Sequence, residues 1–395
     1  MQRKALLVVY LALFVDMLGF GVILPLLPFR IEQLGGTGAW VGAVLTAYAL
    51  AQFVMAPVLG AMSDRYGRRP LLLASLAGSA VSLALVGFAD SLVMLLAARV
   101  VAGLCGGAIA VGQAYAVDLS DPEHRTRALG MVGASIGMGF VIGPAIGAAL
   151  AGLGFTGVSL AAAGIALINL LAGMVLLPRR PGPNDAVPPR RTPGAHTALA
   201  HAIRLPTLRP VVAAVFVSMC AFAAMEATYA LLGARRYGLG PAGLGLVFTG
   251  VGVVMAVVQG GVAGRAADRF GNRRVAVAGA ALLGAGLAVL PFTPPWLGYP
   301  ALALVAAGQG LLGTTAAALI ADAGGRALGG MLGVGQAAAA AARALGPIAA
   351  GVAFDLRPGL PYYLGAALCG LAAVLLLRSG RAHARATTIE TGQPA

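Results

Sequence analysis

The chain has 395 residues, of which 59% are apolar and only 10% are charged, and its mean hydropathy is +0.90. A soluble domain is usually about 45–50% apolar and about 25% charged, so this composition indicates a membrane protein. Lys4 is the only lysine, which excludes an ATP-binding P-loop because that motif requires a lysine.

Apolar runs of about 20 residues predict twelve transmembrane helices, which we call spans 1 to 12. Spans 1 to 6 are predicted at 5–29, 39–61, 70–89, 92–117, 129–152 and 157–177. Spans 7 to 12 are predicted at 209–233, 241–264, 274–293, 298–322, 328–354 and 360–378. The first run is too long for a signal peptide and carries Asp16, so we interpret it as a retained span.

The polar segments predict how the chain is divided. We expect an N-terminal six-helix bundle at 1–177, a proline-rich cytoplasmic linker at 178–208, a second six-helix bundle at 209–378 and a disordered cytoplasmic tail at 379–395. Of the 27 basic residues, only four lie in the loops predicted outside, namely Arg30, Arg235, Arg236 and Arg357. This asymmetry predicts that both termini are cytoplasmic. It also accounts for the net charge of +14 without nucleic acid, because the arginines face the anionic inner leaflet of the lipid bilayer.

The two halves of the sequence resemble each other at a fixed offset. The same polar turn follows span 2 and span 8, and its aspartates, Asp64 and Asp268, lie 204 positions apart. Asp118 at the end of span 4 and Asp322 at the end of span 10 have the same separation. Such a six-plus-six repeat predicts a substrate site near the membrane midplane, between the halves.

Several motifs together resemble one transporter family. Gly60–Arg69 resembles motif A of the major facilitator superfamily, Arg99–Gly103 its motif B, and Gly139–Gly147 its motif C, which marks antiporters there. Asp16 and the glycines and prolines after it resemble the first-helix motif of drug/proton antiporters, and Tyr48–Leu73 is especially similar to tetracycline efflux proteins. The resemblance covers nearly the whole chain. It implies an all-α major facilitator fold of two pseudo-symmetric bundles, without a cofactor, a metal or an enzymatic site.

Charged side chains inside spans are costly in lipid and therefore indicate function. Asp16, Arg99, Glu226 and Arg343 are the four. We expect Asp16 and Arg99 to pair or to compete for a proton. The predicted proton-coupling residues are therefore Asp16, Arg99 and Glu226.

A small lipophilic substrate, including a cationic one, is expected to bind near Glu226. A carboxylate beside aromatic and methionine side chains suits a lipophilic cation. Gln52 in span 2 matches a polar position of tetracycline exporters. The predicted substrate-binding residues are Gln52, Phe222, Met225, Glu226, Tyr229 and Arg343.

The polar turns and motif C are expected to control conformation. In the superfamily the motif A loop holds the halves together, and here Asp64 is expected to face the start of span 11 and Asp268 the start of span 5. The residues of this gating motif are Gly60, Asp64, Arg65, Gly67, Arg68, Arg69, Asp268 and Arg269. The antiporter motif, which allows close packing and a kink, comprises Gly139, Gly143, Pro144 and Gly147.

The sequence therefore predicts a monomeric, proton-coupled exporter of lipophilic drugs in the cytoplasmic (inner) membrane. A tetracycline-selective exporter is a close alternative, although Met255 replaces the histidine of that family's eighth helix and span 9 lacks its acid. A metabolite/proton symporter is a second alternative, which motif C and Asp16 disfavour. A membrane enzyme is disfavoured because no span contains a histidine, and a channel because no filter-like sequence is present.

Overall fold

A computed structural model describes residues 2–120, 125–177, 208–324 and 328–391, and all regular secondary structure in these ranges is helical. Side chains are described at 4–120, 128–177, 208–294, 297–321 and 333–379. The predicted linker therefore lies outside the described residues, except for Leu208.

Spans 1 to 6 fold as helices close to their predicted positions, but spans 1 and 4 are interrupted. Their bounds are Gln2–Ile23 with Leu27–Gln33, Gly38–Tyr66, Arg68–Gly87, Leu92–Cys105 with Ala108–Asp118, Arg125–Leu150 and Gly154–Leu176. Span 1 breaks at Pro25, and Pro28 lies in the first turn of its second helix, where a missing N–H is harmless. Span 4 breaks at Gly106 and Gly107, which leaves backbone carbonyls without helical partners.

Spans 7 to 12 follow the same plan. The helices are Leu208–Tyr237, Pro241–Val257 continued by Ala263–Phe270, Asn272–Val289, Pro295–Gly324, Leu328–Leu356 and Leu360–Thr391. A π-helical segment, Val258–Val262, joins the two parts of span 8. The last helix continues to Thr391, so the expectation of a disordered tail from residue 379 is wrong as far as Thr391.

The structure confirms twelve spans. Eleven segments are long and apolar enough to cross a membrane, and one of them, Ala128–Leu176, contains two helices. A 3₁₀ turn at Ala151–Leu153 and Gly154, whose φ is +70°, separate span 5 from span 6 there. Glycine adopts a positive φ without a Cβ clash, so the chain reverses direction at this point.

The described residues form two compact units. One unit takes its residues from 1–186 and 229–252, and the other takes its residues from 187–228 and 253–395. The end of span 7 and the start of span 8 thus lie with spans 1 to 6, which differs from the predicted division of the chain by that one segment.

Candidate functional site

A narrow cavity with a volume of about 30 Å³ lies among spans 1 to 4. Such a volume accommodates one or two water molecules. Asp16 and Arg99 both line it and are only 8% and 3% exposed. The structure thus brings together the acid and the arginine that the sequence singled out. The cavity is also lined by Phe20, Tyr48, Ser79 and Ser82.

Close packing of span 1 fixes the position of Asp16. A Cβ on Gly143 would lie 2.8 Å from the Cα of Gly21, and one on Gly139 would lie 2.8 Å from the carbonyl oxygen of Phe14. Only glycine at these positions lets span 5 approach the backbone of span 1 so closely. Asn169 of span 6 donates a hydrogen bond of 2.9 Å to the carbonyl oxygen of Ala12, one turn before Asp16. Span 1 is therefore held on two sides near its acid.

The carboxylate of Asp16 has a hydroxyl partner from span 3. The Ser79 Oγ donates a hydrogen bond of 2.6 Å to Asp16 Oδ1. Among the described side chains no ion pair joins Asp16 to Arg99. The two groups share the cavity without direct contact in this structure.

Arg99 lies beside an aromatic ring rather than a carboxylate. Its guanidinium carbon lies 6.0 Å from the centroid of the Phe20 ring, at the outer limit of a cation–π contact. Phe20 in turn stacks on Tyr48 with a centroid separation of 5.0 Å. Arg99 Nε is buried and has no hydrogen-bond partner within the described part of the chain. A buried guanidinium N–H without a partner is costly.

Gln52 forms hydrogen bonds to other parts of the protein beside the cavity. Its Nε2 donates a hydrogen bond of 3.0 Å to the carbonyl oxygen of Gly106, which the break in span 4 has left available. The same nitrogen lies 3.4 Å from the hydroxyl of Tyr48. Gln52 therefore joins span 2 to span 4 beside the cavity.

Glu226 and Arg343 form a second charged centre, in the other compact unit. Glu226 in span 7 is half-buried, and the charge of Arg343 in span 11 acts on it. The sequence singled out these residues one at a time, and the structure brings them together.

The other residues predicted around Glu226 divide into two kinds. Phe222 is half-buried, whereas Met225 and Tyr229 are each only 1% exposed. Tyr229 packs edge-on against Phe248 with a centroid separation of 6.2 Å. Met225 and Tyr229 are thus part of the protein interior in this structure.

At the turn after span 2, one arginine bridges two carboxylates. Arg68 pairs with Asp64 at 2.6 Å and with Asp118 of span 4 at 2.8 Å, and it also donates to the hydroxyl of Ser63. Gly67, with a φ of +98°, ends span 2 and starts span 3. The expected partner of Asp64 at the start of span 11 lies where side chains are outside the described residues. The same applies to the start of span 5, the expected partner of Asp268.

The turn after span 8 repeats the backbone but not the charges. Gly271 has a φ of +83°, and Arg269 lies 5.3 Å from the ring centroid of Phe270, as Arg65 lies 5.4 Å from that of Tyr66. Asn272 occupies the position that corresponds to Arg68. A neutral side chain there cannot form an ion pair with Asp268.

Sequence reasoning missed an ion pair that joins span 1 to span 7. Arg235 Nη2 lies 3.2 Å from Glu32 Oε1, and both residues belong to the first compact unit. In the same unit a Cβ on Gly245 would lie 2.6 Å from the carbonyl oxygen of Pro144. The close packing expected of motif C therefore includes span 8 as well as span 1.

The chain is similar to known membrane transporters over nearly its whole length. The family model described as Major Facilitator Superfamily matches residues 9–262 and 214–394. The tetracycline resistance protein of class C from Escherichia coli is 33% identical over 317 residues, which are 78% of this chain and 78% of that protein. The major facilitator superfamily domain-containing protein 10 of Bos taurus is 28% identical and aligns with 98% of this chain and 95% of its own length.

Solved structures show the same architecture. The human organic anion transporter MFSD10 (TETRAN) superposes with a TM-score of 0.69 at 25% identity, covering 95% of this chain and 99% of that one. A bacterial homologue of the human lysosomal transporter Spinster, described as inward-facing and unoccupied, superposes with a TM-score of 0.76 at 17% identity, covering 96% and 93%. The second likeness concerns the fold alone.

Proposed function

Because the chain belongs to the major facilitator superfamily, and is a multi-pass membrane transporter rather than an enzyme, we propose that it exports lipophilic drugs in exchange for protons. The observation that carries this proposal is the buried Asp16, which shares a water-sized cavity with Arg99. A cavity of about 30 Å³ suits water and protons and excludes a drug. The similarity to tetracycline resistance proteins supports export as the direction of transport.

In the proposed mechanism, Asp16 carries the proton. Its ionised carboxylate accepts the hydrogen bond of Ser79 and attracts the nearby guanidinium of Arg99. A proton arriving through the cavity neutralises the carboxylate and removes that attraction. The relative stability of the two conformations of the transporter then changes, because only one of them offers the ionised carboxylate its partners.

Both termini lie in the cytoplasm, the protein works as a monomer, and protons enter from outside.

The substrate is proposed to bind near Glu226, which attracts a lipophilic cation. Burial of Met225 and Tyr229 narrows the predicted ligand set around it to Phe222, Glu226 and Arg343. Arg343 offsets part of the negative charge of Glu226. The two charges together therefore also suit a drug that carries a cationic and an anionic group.

The polar turn after span 2 is proposed to gate the cytoplasmic side. Arg68 forms ion pairs with Asp64 and Asp118 where span 2, span 3 and span 4 meet. A movement of span 2 against span 4 would separate these charges, so the cluster favours one arrangement of the cytoplasmic ends.

A tetracycline-selective exporter is the second candidate, and the 33% identity to the class C protein favours it. A metabolite/proton symporter is the third. Growth inhibition by a drug panel, with and without expression of the chain, separates the three. Resistance to several unrelated lipophilic drugs supports the first proposal, resistance to tetracyclines alone supports the second, and no resistance supports the third.

Asp16→Asn tests the proton role. We expect the variant to lose transport driven by a pH jump in proteoliposomes while it still inserts in the membrane. Asp90→Asn is the matched control, because Asp90 is an exposed aspartate between span 3 and span 4. Undiminished pH-driven transport by Asp16→Asn would exclude Asp16 as the proton carrier.

A further inference from the structure

Span 3 supplies a hydroxyl at the centre of the Asp16 cavity. The Ser79 Oγ donates a hydrogen bond of 2.6 Å to Asp16 Oδ1, so the hydroxyl proton of Ser79 is directed at the carboxylate. A distance of this size is typical of a hydrogen bond from a hydroxyl to a carboxylate. Asp16 is 8% exposed, so bulk water competes little with this donor.

Ser82 shows that the contact of Ser79 is specific. It lies almost one turn further along the same helix and lines the same cavity, yet its hydroxyl donates to the carbonyl oxygen of Ser79 at 3.0 Å. Serine hydroxyls in helices commonly bond to their own helix in this way. Ser79 instead reaches across to span 1.

The surroundings of Asp16 contain few other groups that respond to its charge. Span 4 presents Arg99 and span 2 presents Tyr48 to the cavity. Span 6 contributes the neutral amide of Asn169, and span 5 packs glycine against the backbone of span 1. In spans 5 and 6 the described side chains at 128–176 include no acidic or basic group.

We propose that Ser79 is a positioning residue for proton coupling, which holds the ionised Asp16 on the span 3 side of the cavity, away from Arg99. The inference rests on the proposed proton role of Asp16. A hydroxyl donor stabilises the ionised carboxylate and orients it. When Asp16 takes up a proton on Oδ2, Oδ1 still accepts from Ser79, but as an oxygen of a neutral carboxylic acid it accepts more weakly. The serine therefore stabilises the ionised form of Asp16 more than the protonated form and favours release of the proton.

The test uses the full-length protein in lipid and needs no transported substrate. Infrared difference spectra recorded over a pH titration give the band of the protonated Asp16 carboxyl, identified by its loss in Asp16→Asn. In Ser79→Ala we expect the midpoint of this band to move to higher pH by about one unit, which is the tenfold change expected for loss of one hydrogen bond to a charged group. Ser79→Thr keeps the hydroxyl and should restore the original midpoint.

Ser82→Ala is the matched control, since it removes a hydroxyl from the same cavity without touching Asp16. An unchanged midpoint in Ser79→Ala would overturn the proposal, and so would equal shifts in Ser79→Ala and Ser82→Ala. If Ser79→Ala does not reach the membrane, Ser79→Cys provides the same test with a weaker donor, and its midpoint should lie above that of the unaltered protein. If Asp16→Asn still transports when a pH jump is applied, that result would instead contradict the proposed function, whatever the spectra of the serine variants show.

Discussion

The turn after span 2 and the turn after span 8 share a backbone and differ in their charges. Each turns at a glycine with a positive φ, Gly67 or Gly271, directly before the next helix. In the first turn Arg68 bridges Asp64 and Asp118, whereas Asn272 occupies its place in the second. The repeat has therefore kept the glycine that the chain reversal requires, whereas a neutral asparagine occupies the position at which Arg68 forms its ion pairs.

The same contrast holds inside the spans. In the first compact unit an acid and an arginine line a water-sized cavity. In the second unit the charge of Arg343, which is exposed, acts on Glu226. The positions of these charges do not correspond through the repeat offset, since Cys220 is 204 positions after Asp16. The two halves thus have one architecture with separate chemical roles, of proton handling and of substrate contact in our proposal.

The largest expected difference between the halves concerns packing. Gly143→Ala should destabilise the protein by about 1–3 kcal/mol, as overpacking usually does, because its Cβ would meet the backbone of Gly21 at 2.8 Å. Gly346→Ala, at the corresponding position of span 11, should cost less, since its nearest contact would be 3.0 Å from the carbonyl oxygen of Cys220. Thermal unfolding in detergent measures both.

Gly137→Ala is the control for this pair, because nothing lies within 4 Å of its Cβ position. We expect it to keep or slightly raise the stability of span 5, since alanine favours helix. An equal loss in Gly137→Ala and Gly143→Ala would show that the helix itself, and not its contact with span 1, requires glycine.

The second prediction separates the two charged centres. Glu226→Gln should weaken export of the cation ethidium about tenfold and spare neutral chloramphenicol, because only the cation loses an electrostatic attraction in a cavity of low dielectric. Asp16→Asn should stop the active export of both. Resistance assays normalised to the amount of membrane protein compare the variants. Equal loss of both drugs in Glu226→Gln at normal expression would assign Glu226 to the proton path.

Sequence patterns predicted the spans well and the side-chain partners poorly. The length of an apolar run directly limits a membrane helix, so all twelve spans were located from the sequence. The hydrogen bonds of Gln52 and Ser79 depend on residues in neighbouring spans, so the spacing of residues within one span does not predict them. The hydrogen bond from Gln52 is possible only because the break in span 4 leaves the carbonyl of Gly106 available. A serine in a helix, such as Ser79, ordinarily bonds to its own helix. Asp16 and Arg99 were predictable because isolated charges in apolar runs are rare.

The third prediction compares the aspartates of the two turns. Asp64→Asn should slow transport several-fold with little change in substrate affinity, because the turn affects the populations of conformations rather than contacts with the drug. Asp268→Asn should slow it less than twofold, since no arginine occupies position 272. Separate measurements in proteoliposomes of the turnover rate and of the substrate concentration at half-saturation distinguish an effect on conformation from an effect on affinity. A fall in affinity as large as the fall in turnover would contradict the gating role of Asp64.

The smallest expected effect comes from restoring the missing charge. Asn272→Arg places a guanidinium four positions after Asp268, in the arrangement by which Arg68 meets Asp64 at 2.6 Å. The two turns have similar backbones, with φ of +98° at Gly67 and +83° at Gly271, so the introduced arginine can reach the carboxylate. An exposed ion pair contributes about 0.2–1 kcal/mol and is screened by salt. We therefore expect a gain in thermal stability of one or two degrees at low salt that disappears at about 1 M salt.

Asn272→Gln is the control, because it lengthens the side chain without adding charge. The double variant Asp268→Asn with Asn272→Arg should lose the gain, which identifies the carboxylate as the partner of the introduced arginine. A gain that persists in high salt, or in the double variant, would show that the arginine acts through packing. In that case the charge difference between the two turns would have no bearing on their stability, and the contrast in transport between Asp64→Asn and Asp268→Asn would need another cause.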